Sequence, residues 1–233
     1  MTHSAPTTLP PLPDLATFDI YREVHKGLRA ELFGLVTAAG ALDVDDAAAR
    51  ARFVTRFARV DDMLGLHHGH EDGGALDECI AKHAPHLLAP LHEAHRRFVG
   101  EIAILREIVI GLQTAADAAE LYDRAIAFVV SYLGHMRFEE HEVMPALRAA
   151  ATIEELFAVE MSIRTSMLPE TMVLFMRAML PAMNSDERTA MLGAMKAGAP
   201  AEAFALFWAT AAEVLSPEDL DVVARRIDGL VEA

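Results

Sequence analysis

The chain has 233 residues, 53% of them hydrophobic, with 20 basic and 35 acidic side chains for a formal net charge of −15. That length can bury one large core, with or without an appendage. So negative a balance repels phosphate backbones and anionic lipid, which argues against nucleic acid and membrane as partners. The single Cys79 leaves no internal disulfide and fits a reducing compartment.

The opening stretch, residues 1–17, carries four prolines and neither a basic nor an apolar leader segment. It reads as a flexible arm rather than a secretory signal. No run of about 18 uncharged apolar residues suggests a membrane helix, so the expected location is the cytoplasm. Strand signals are nearly absent and helical periodicity is everywhere, so the expected class is all-α. Four long helices are expected over about 18–39, 45–80, 86–112 and 116–150. The second is expected to run straight through Gly73-Gly74, at roughly 1 kcal/mol of helix propensity per glycine.

Past residue 150 the histidines stop. Residues 151–233 read as a helical extension packed on the first four helices or on a second subunit, which leaves a homodimer through these helices open. Ser185 and Ser216 have the character of helix N-caps. Met172, Met176, Met179 and Met183 form a helical stripe, interrupted by Pro181, that is expected to fill core rather than bind ligands.

Histidine placement carries the strongest signal. Each expected helix holds at least one, and two stretches repeat a pattern: His67, three residues, Glu71 and Asp72, then His135, three residues, Glu139 and Glu140, 68 residues later. On a helix, positions four apart share a face, so each copy presents an imidazole and a carboxylate together. Spacing also supplies a test of height. In an up-down-up-down bundle, residues at one level are equidistant from the turn between their helices. The midpoints of the pairs 25/67, 71/95 and 95/135 fall at 46, 83 and 115, inside the turn-like LDVDD, KHAPH and GLQTAAD segments. His25, His67, Glu71, His95, His135 and Glu139 can therefore meet at one level of a four-helix bundle. In the first copy His68 and His70 compete with His67, and register favours His67. Tyr132 and Tyr21 lie about one turn before His135 and His25, placed either to support a bound species or to fill core. Asp72 and Glu140 are expected to be solvated or hydrogen-bonded to the histidines, and His83, His86 and His141 to be ordinary surface or core residues.

Over residues 18–150 the chain resembles the hemerythrin-like (HHE cation-binding) family: a lone histidine on the first helix, His-x-x-x-Glu on the second, a histidine on the third, and His-x-x-x-Glu with Met144-Pro145 on the fourth. The resemblance implies a four-helix bundle around two iron ions, oxo- or hydroxo-bridged, with His25, His67, Glu71, His95, His135 and Glu139 as metal ligands. It also implies binding of, or reaction with, dioxygen, peroxide or nitric oxide, or sensing of iron, oxygen or redox state. Mn or Zn suits the same donors. Hemerythrins proper carry two histidines four apart on the third helix, whereas His92 and His95 are three apart, so His92 stands as a ligand, a support for one, or a surface residue. The first copy has Leu76-Asp77 in place of the usual Phe-Pro. No catalytic residue is identifiable. A scavenging enzyme, a sensor acting through residues 151–233, and a structural bundle with zinc or no metal remain as readings.

Overall fold

The computed structural model describes residues 12–231, with side chains to residue 229, so residues 1–11 of the expected arm lie outside the described residues. Among the described residues the structure is helical, without strands. The elements are α1 (Arg22–Gly40), α2 (Ala47–Glu71), α3 (Ala75–His83), α4 (Pro85–Ile110) and α5 (Ala115–Phe138). A π-helical turn (Glu139–Val143) leads into α6 (Met144–Ala150), and α7 (Ile153–Ser166), α8 (Pro169–Ala182), α9 (Ser185–Gly198), α10 (Ala201–Val214) and α11 (Pro217–Val231) follow. No helix among the described residues is long and apolar enough to cross a membrane.

Residues 14–17, expected in the arm, form a turn in which Thr17 and Phe18 donate backbone hydrogen bonds to the Asp14 carbonyl. Phe18 is buried and Leu15 packs beside it. The first helix begins at Arg22 rather than near 18. The Asp19 carboxylate accepts from the Tyr21 and Arg22 amides at 3.1 and 3.0 Å, satisfying the first donors of α1. Asp46 caps α2, and Thr114 with Asp117 forms a capping box on α5.

The four long helices α1, α2, α4 and α5 pack in a ring, α1 on α2, α2 on α4, α4 on α5 and α5 on α1. Their interior holds two apolar clusters rather than one. Leu28, Leu64, Phe98 and Tyr132 belong to the larger. Tyr21, Leu76, Leu91 and Val143 belong to a smaller one shared with α3, α6 and α7. Each long helix passes between the clusters, α1 and α4 from smaller to larger, α2 and α5 the other way. At the crossing α1 and α4 carry a single histidine each, His25 and His95, and α2 and α5, the latter with its π turn, carry a histidine followed four residues later by a glutamate.

Three further expectations need correction. Helix α2 stops at Glu71 instead of running through the glycines. Gly73 has φ +77°, a left-handed conformation that ends the helix and that glycine adopts at little cost. The chain restarts as α3, which buries Leu76, Cys79 and Ile80 in the smaller cluster. The equality of height survives because α3 still carries the chain about 13 Å before α4 returns by a similar rise to His95. The fourth expected helix is continuous in direction but widened at Glu139–Val143. The cap of α9 is Asn184, whose side chain accepts from the amides of Asp186 and Glu187, with Ser185 already inside the helix. Ser216 does cap α11, accepting from the Asp219 amide at 3.1 Å.

From α7 onward the helices start every 16 residues, at 153, 169, 185, 201 and 217, joined by two-residue links. Helix α8 packs against α1 and α10, and α11 against α9. Met176, Met179 and Met183 are buried in the larger cluster, with Met172 packed at its edge. Pro181 does not break the stripe, since α8 continues to Ala182. The buried Arg188 guanidinium donates to the Leu180 carbonyl at 2.8 Å, satisfying one of the last acceptors of that helix.

Candidate metal centre

His25 comes from α1, His67 and Glu71 from the last turns of α2, His95 from the middle of α4, His135 from α5, and Glu139 from the first residue of the π turn. All six are buried, His25 and Glu139 at 0% exposure. Their donor atoms form two overlapping groups in which every atom lies within 4.8 Å of the others: His25, His67, Glu71 and Glu139, and Glu71, His95, His135 and Glu139. Both carboxylates belong to both groups.

The oxygens divide the work. Glu71 Oε1 is 3.3 Å from His67 Nε2, and its Oε2 is 3.4 Å from His95 Nε2. Glu139 Oε1 is 3.0 Å from His135 Nε2, and its Oε2 is 3.3 Å from His25 Nε2. Each glutamate thus touches the histidine four residues before it and the lone histidine of the other helix pair. This gives the centre an approximate internal two-fold that matches the sequence repeat.

The outer acid of each copy holds the same lone histidine from behind. Asp72 Oδ1 lies 2.7 Å from His95 Nδ1, and Glu140 Oε1 lies 2.9 Å from His25 Nδ1. A proton on Nδ1 shared with a carboxylate leaves the Nε2 lone pair facing inward. Arg29 grips both Glu140 oxygens at 2.8 and 2.9 Å.

Burial and charge pull the two glutamates apart. Burial, then the charges of Glu139 and Asp72, push Glu71 well above the ordinary carboxylate range. Burial also opposes charge on Glu139, but the imidazoles of His135, His25 and His95 outweigh it and hold that carboxyl well below its ordinary value. Burial likewise works against charge on His25 and His95, yet their acidic neighbours raise both. Burial and the neighbouring His25 push His67 well down.

His25 Nε2, His67 Nε2, Glu71 Oε2 and both Glu139 carboxylate oxygens are buried without hydrogen-bond partners. An unpartnered buried polar group costs roughly 1–3 kcal/mol. Five such atoms, all on His25, His67, Glu71 and Glu139, fit a cation among them, while His95 and His135 of the second group meet each other through Nε2 at 2.9 Å; imidazole with carboxylate is a donor set for first-row metals. A cavity of about 10 Å³, the size of a single water, touches Tyr21, Glu71, His95 and Glu139 and extends towards Asp77 and His92.

The remaining candidates separate. His68 is buried, stacks on His95 with ring centroids 4.3 Å apart, and bonds Tyr132 Oη through Nε2 at 2.9 Å. It forms a third group with His95 and His135. Burial, with His95 and His135 nearby, lowers its pKa to about 3. Tyr21 stacks on His25 at 5.3 Å. His70 is half-buried and joins none of the groups. His92 also joins none; its Nε2 sits 2.6 Å from Asp77 Oδ1 and 3.7 Å from Asp72.

Two features were not read from the sequence. Arg29 follows His25 by one helical turn, and its charge was a usable signal. The π turn was signalled only by Pro145, which has no amide proton. The Met144 amide reaches back five residues to the Glu139 carbonyl, and the wider turn relieves the clash a proline ring makes with the carbonyl four residues before it. Comparison of the chain with protein-family models, with curated proteins and with solved structures finds no match.

Proposed function

We propose that the chain is a hemerythrin-like protein, an up-down-up-down four-helix bundle that holds two iron ions and binds or reacts with dioxygen, peroxide or nitric oxide. The observation that supports this reading is the set of five unpartnered buried donor atoms from α1, α2 and the π turn, inside two overlapping groups of His and Glu donors that draw on all four long helices. The donors suit two ions better than one. Glu71 and Glu139 each offer an oxygen to either group, while His25 and His67 serve one ion and His95 and His135 the other. The inner carboxylates offset half the charge of two divalent ions, and Asp72, one imidazole away, offsets part of the rest, the Glu140 charge being already paired with Arg29.

When bound, the iron pair supplies electrons reversibly to a small guest. The chain's own residues set the conditions. Asp72 and Glu140 fix the orientation of His95 and His25. Burial, then Glu139 and Glu71, raise Tyr21 well above its ordinary value, so its hydroxyl keeps its proton at neutral pH on the wall of the small cavity. Ile80, Leu88 and Leu91 close the apolar side of that cavity and limit bulk water.

Purification with iron tests the reading. Two irons per chain with near-ultraviolet charge-transfer absorption, perturbed by nitric oxide or peroxide, are expected. One ion or none, or zinc alone at saturating iron, overturns it.

A second reading, a sensor of iron or redox state acting through the C-terminal helices, is favoured by one contact. A Cβ at Gly27, two residues after His25, would come 2.9 Å from Met179 Cγ and 3.0 Å from its amide nitrogen. Ligand helix α1 and α8 are therefore backbone-close, and Lys26 also pairs with Glu187 at 2.6 Å. Iron-dependent hydrogen-exchange protection across 169–214 supports sensing, and identical exchange with and without iron excludes it.

A further inference from the structure

Two places depart from the hemerythrin-like pattern: Asp77 stands where a proline is usual, and His92 is three residues from His95 instead of four. In the structure the two departures meet. His92 Nε2 lies 2.6 Å from Asp77 Oδ1, which ties the first turn of α3 to α4. The contact stands at the outer end of the small cavity beside the centre, with Asp72 next to it. Glu71 and Glu139, with their unpartnered oxygens, line the inner end. Carboxylates thus run from the surface, where Asp72 is exposed and Asp77 and His92 partly so, to the centre. Such a lining attracts a cation and repels an anion.

With room for about one water, the cavity does not pass a hydrated ion, so passage needs a wall to move. Helix α3 is the wall free to do so. Gly73 and Gly74 precede it, a Cβ at Gly73 would meet nothing within 4 Å, and no side chain caps the helix start. Its other end is anchored by buried Ala84 and by Lys82 and His83, which pair with Glu155 of α7. Movement therefore concentrates at the glycine end, where Asp77 sits. The two-fold-related position offers none of this. Moving 68 residues along the repeat carries Gly73 to His141 and Asp77 to Pro145, and Glu140, the counterpart of Asp72, is held by Arg29.

We propose that the passage between α3 and α4 is where a divalent cation enters and leaves the centre, and that the His92–Asp77 contact is its latch. The proposal rests on the metal reading above. Swinging the first turn of α3 outward breaks that contact and lifts buried Leu76 from the smaller cluster, so opening is infrequent and limits exchange. The latch sets rates in both directions and leaves the affinity of the centre to its six donors.

Metal-free full-length protein mixed with Co²⁺ in stopped flow and followed by visible absorption tests this, with release followed by transfer to excess EDTA. In wild type the uptake rate is expected to level off as Co²⁺ rises, at the rate of opening. His92→Ala and Asp77→Ala are each expected to raise that plateau and the release rate together by about 10-fold, the scale of one hydrogen bond to a carboxylate, with equilibrium affinity unchanged. The double variant should be no faster than either single one, because both remove the same contact. A wild-type rate that climbs in proportion to Co²⁺ without a plateau overturns the latch and leaves the metal reading standing. No uptake overturns both. Unchanged rates in the variants refute the latch. Release that speeds up without faster uptake marks the pair as ordinary support for the centre and refutes it too. Because the plateau is a property of wild type, the test stands even where a variant folds poorly.

Discussion

The two His-x-x-x-Glu copies present the same chemistry on different backbones. The first ends its helix: Asp72 follows Glu71, Gly73 turns at φ +77°, and α3 departs. The second keeps its helix but widens it through the π turn before Pro145. Asp72 is 40% exposed at its side chain, whereas Glu140 is 17% exposed and gripped by Arg29. The difference shows that the inward geometry depends on the four-residue interval and the outer acid, both of which the copies share. How the backbone leaves the site follows from what each chain segment must cover next.

The sharpest test of this equivalence is removal of the inner carboxylates. Because each serves both groups, Glu71→Ala and Glu139→Ala are each expected to abolish binding of both ions at metal concentrations that saturate wild type, measured by elemental analysis after dialysis. A variant that retains one ion would show that the two glutamates are not equivalent.

Next in size is loss of a lone histidine. His25→Ala and His95→Ala should each weaken one ion by at least about 100-fold, more than loss of an outer partner costs, and spare the other in calorimetric titration. Loss of both ions in either variant would show that the groups fill only together.

The outer acids come third. Asp72→Asn and Glu140→Gln should each lower affinity by about 10- to 100-fold, with Glu140→Gln the more severe because it also strands Arg29. Burial opposes charge on Glu140, but His25 and Arg29 hold its carboxyl down at about 2. A depressed carboxylate contributes stability above its ordinary value of 4.5 and loses it as pH falls through the folded value. The urea midpoint of metal-free wild type should therefore fall between about pH 4.5 and 2 by more than that of Glu140→Gln. Parallel declines would remove the charge pairing as the cause.

The smallest effect is expected at the backbone. Gly73→Ala places a side chain at positive φ in open space, costing about 1 kcal/mol. That corresponds to roughly 2–4 °C in Tm for a chain of this size, with metal stoichiometry unchanged. A collapse of binding would mean that this turn sets the position of Glu71.

Much of the site was readable because its geometry is local. His135 and Glu139 share a face by the 3.6-residue period alone, and equal height needs only antiparallel helices whose rises balance about each connection. What escaped was set by competition between local preference and packing. A glycine pair is tolerable within a helix, and only the burial of Leu76, Cys79 and Ile80 against α6 and α7 makes the break favourable. Asn184 and Ser185 both suit a cap, and the choice fell to the residue whose carbonyl-bearing side chain reaches two amides. His68 was visible only as a rival to His67, because its value depends on an α4 residue and an α5 residue meeting beside it.

By itself the amino-acid order determined an all-helical chain, the interval that pairs each imidazole with a carboxylate, and the two-copy pattern, since these follow from periodicity and side-chain type. Tertiary structure decided which nitrogen faces inward, which acid stands behind which histidine, and where α8 presses on α1. Those outcomes depend on contacts between residues far apart in the chain, and nothing in a single helix's propensity specifies them.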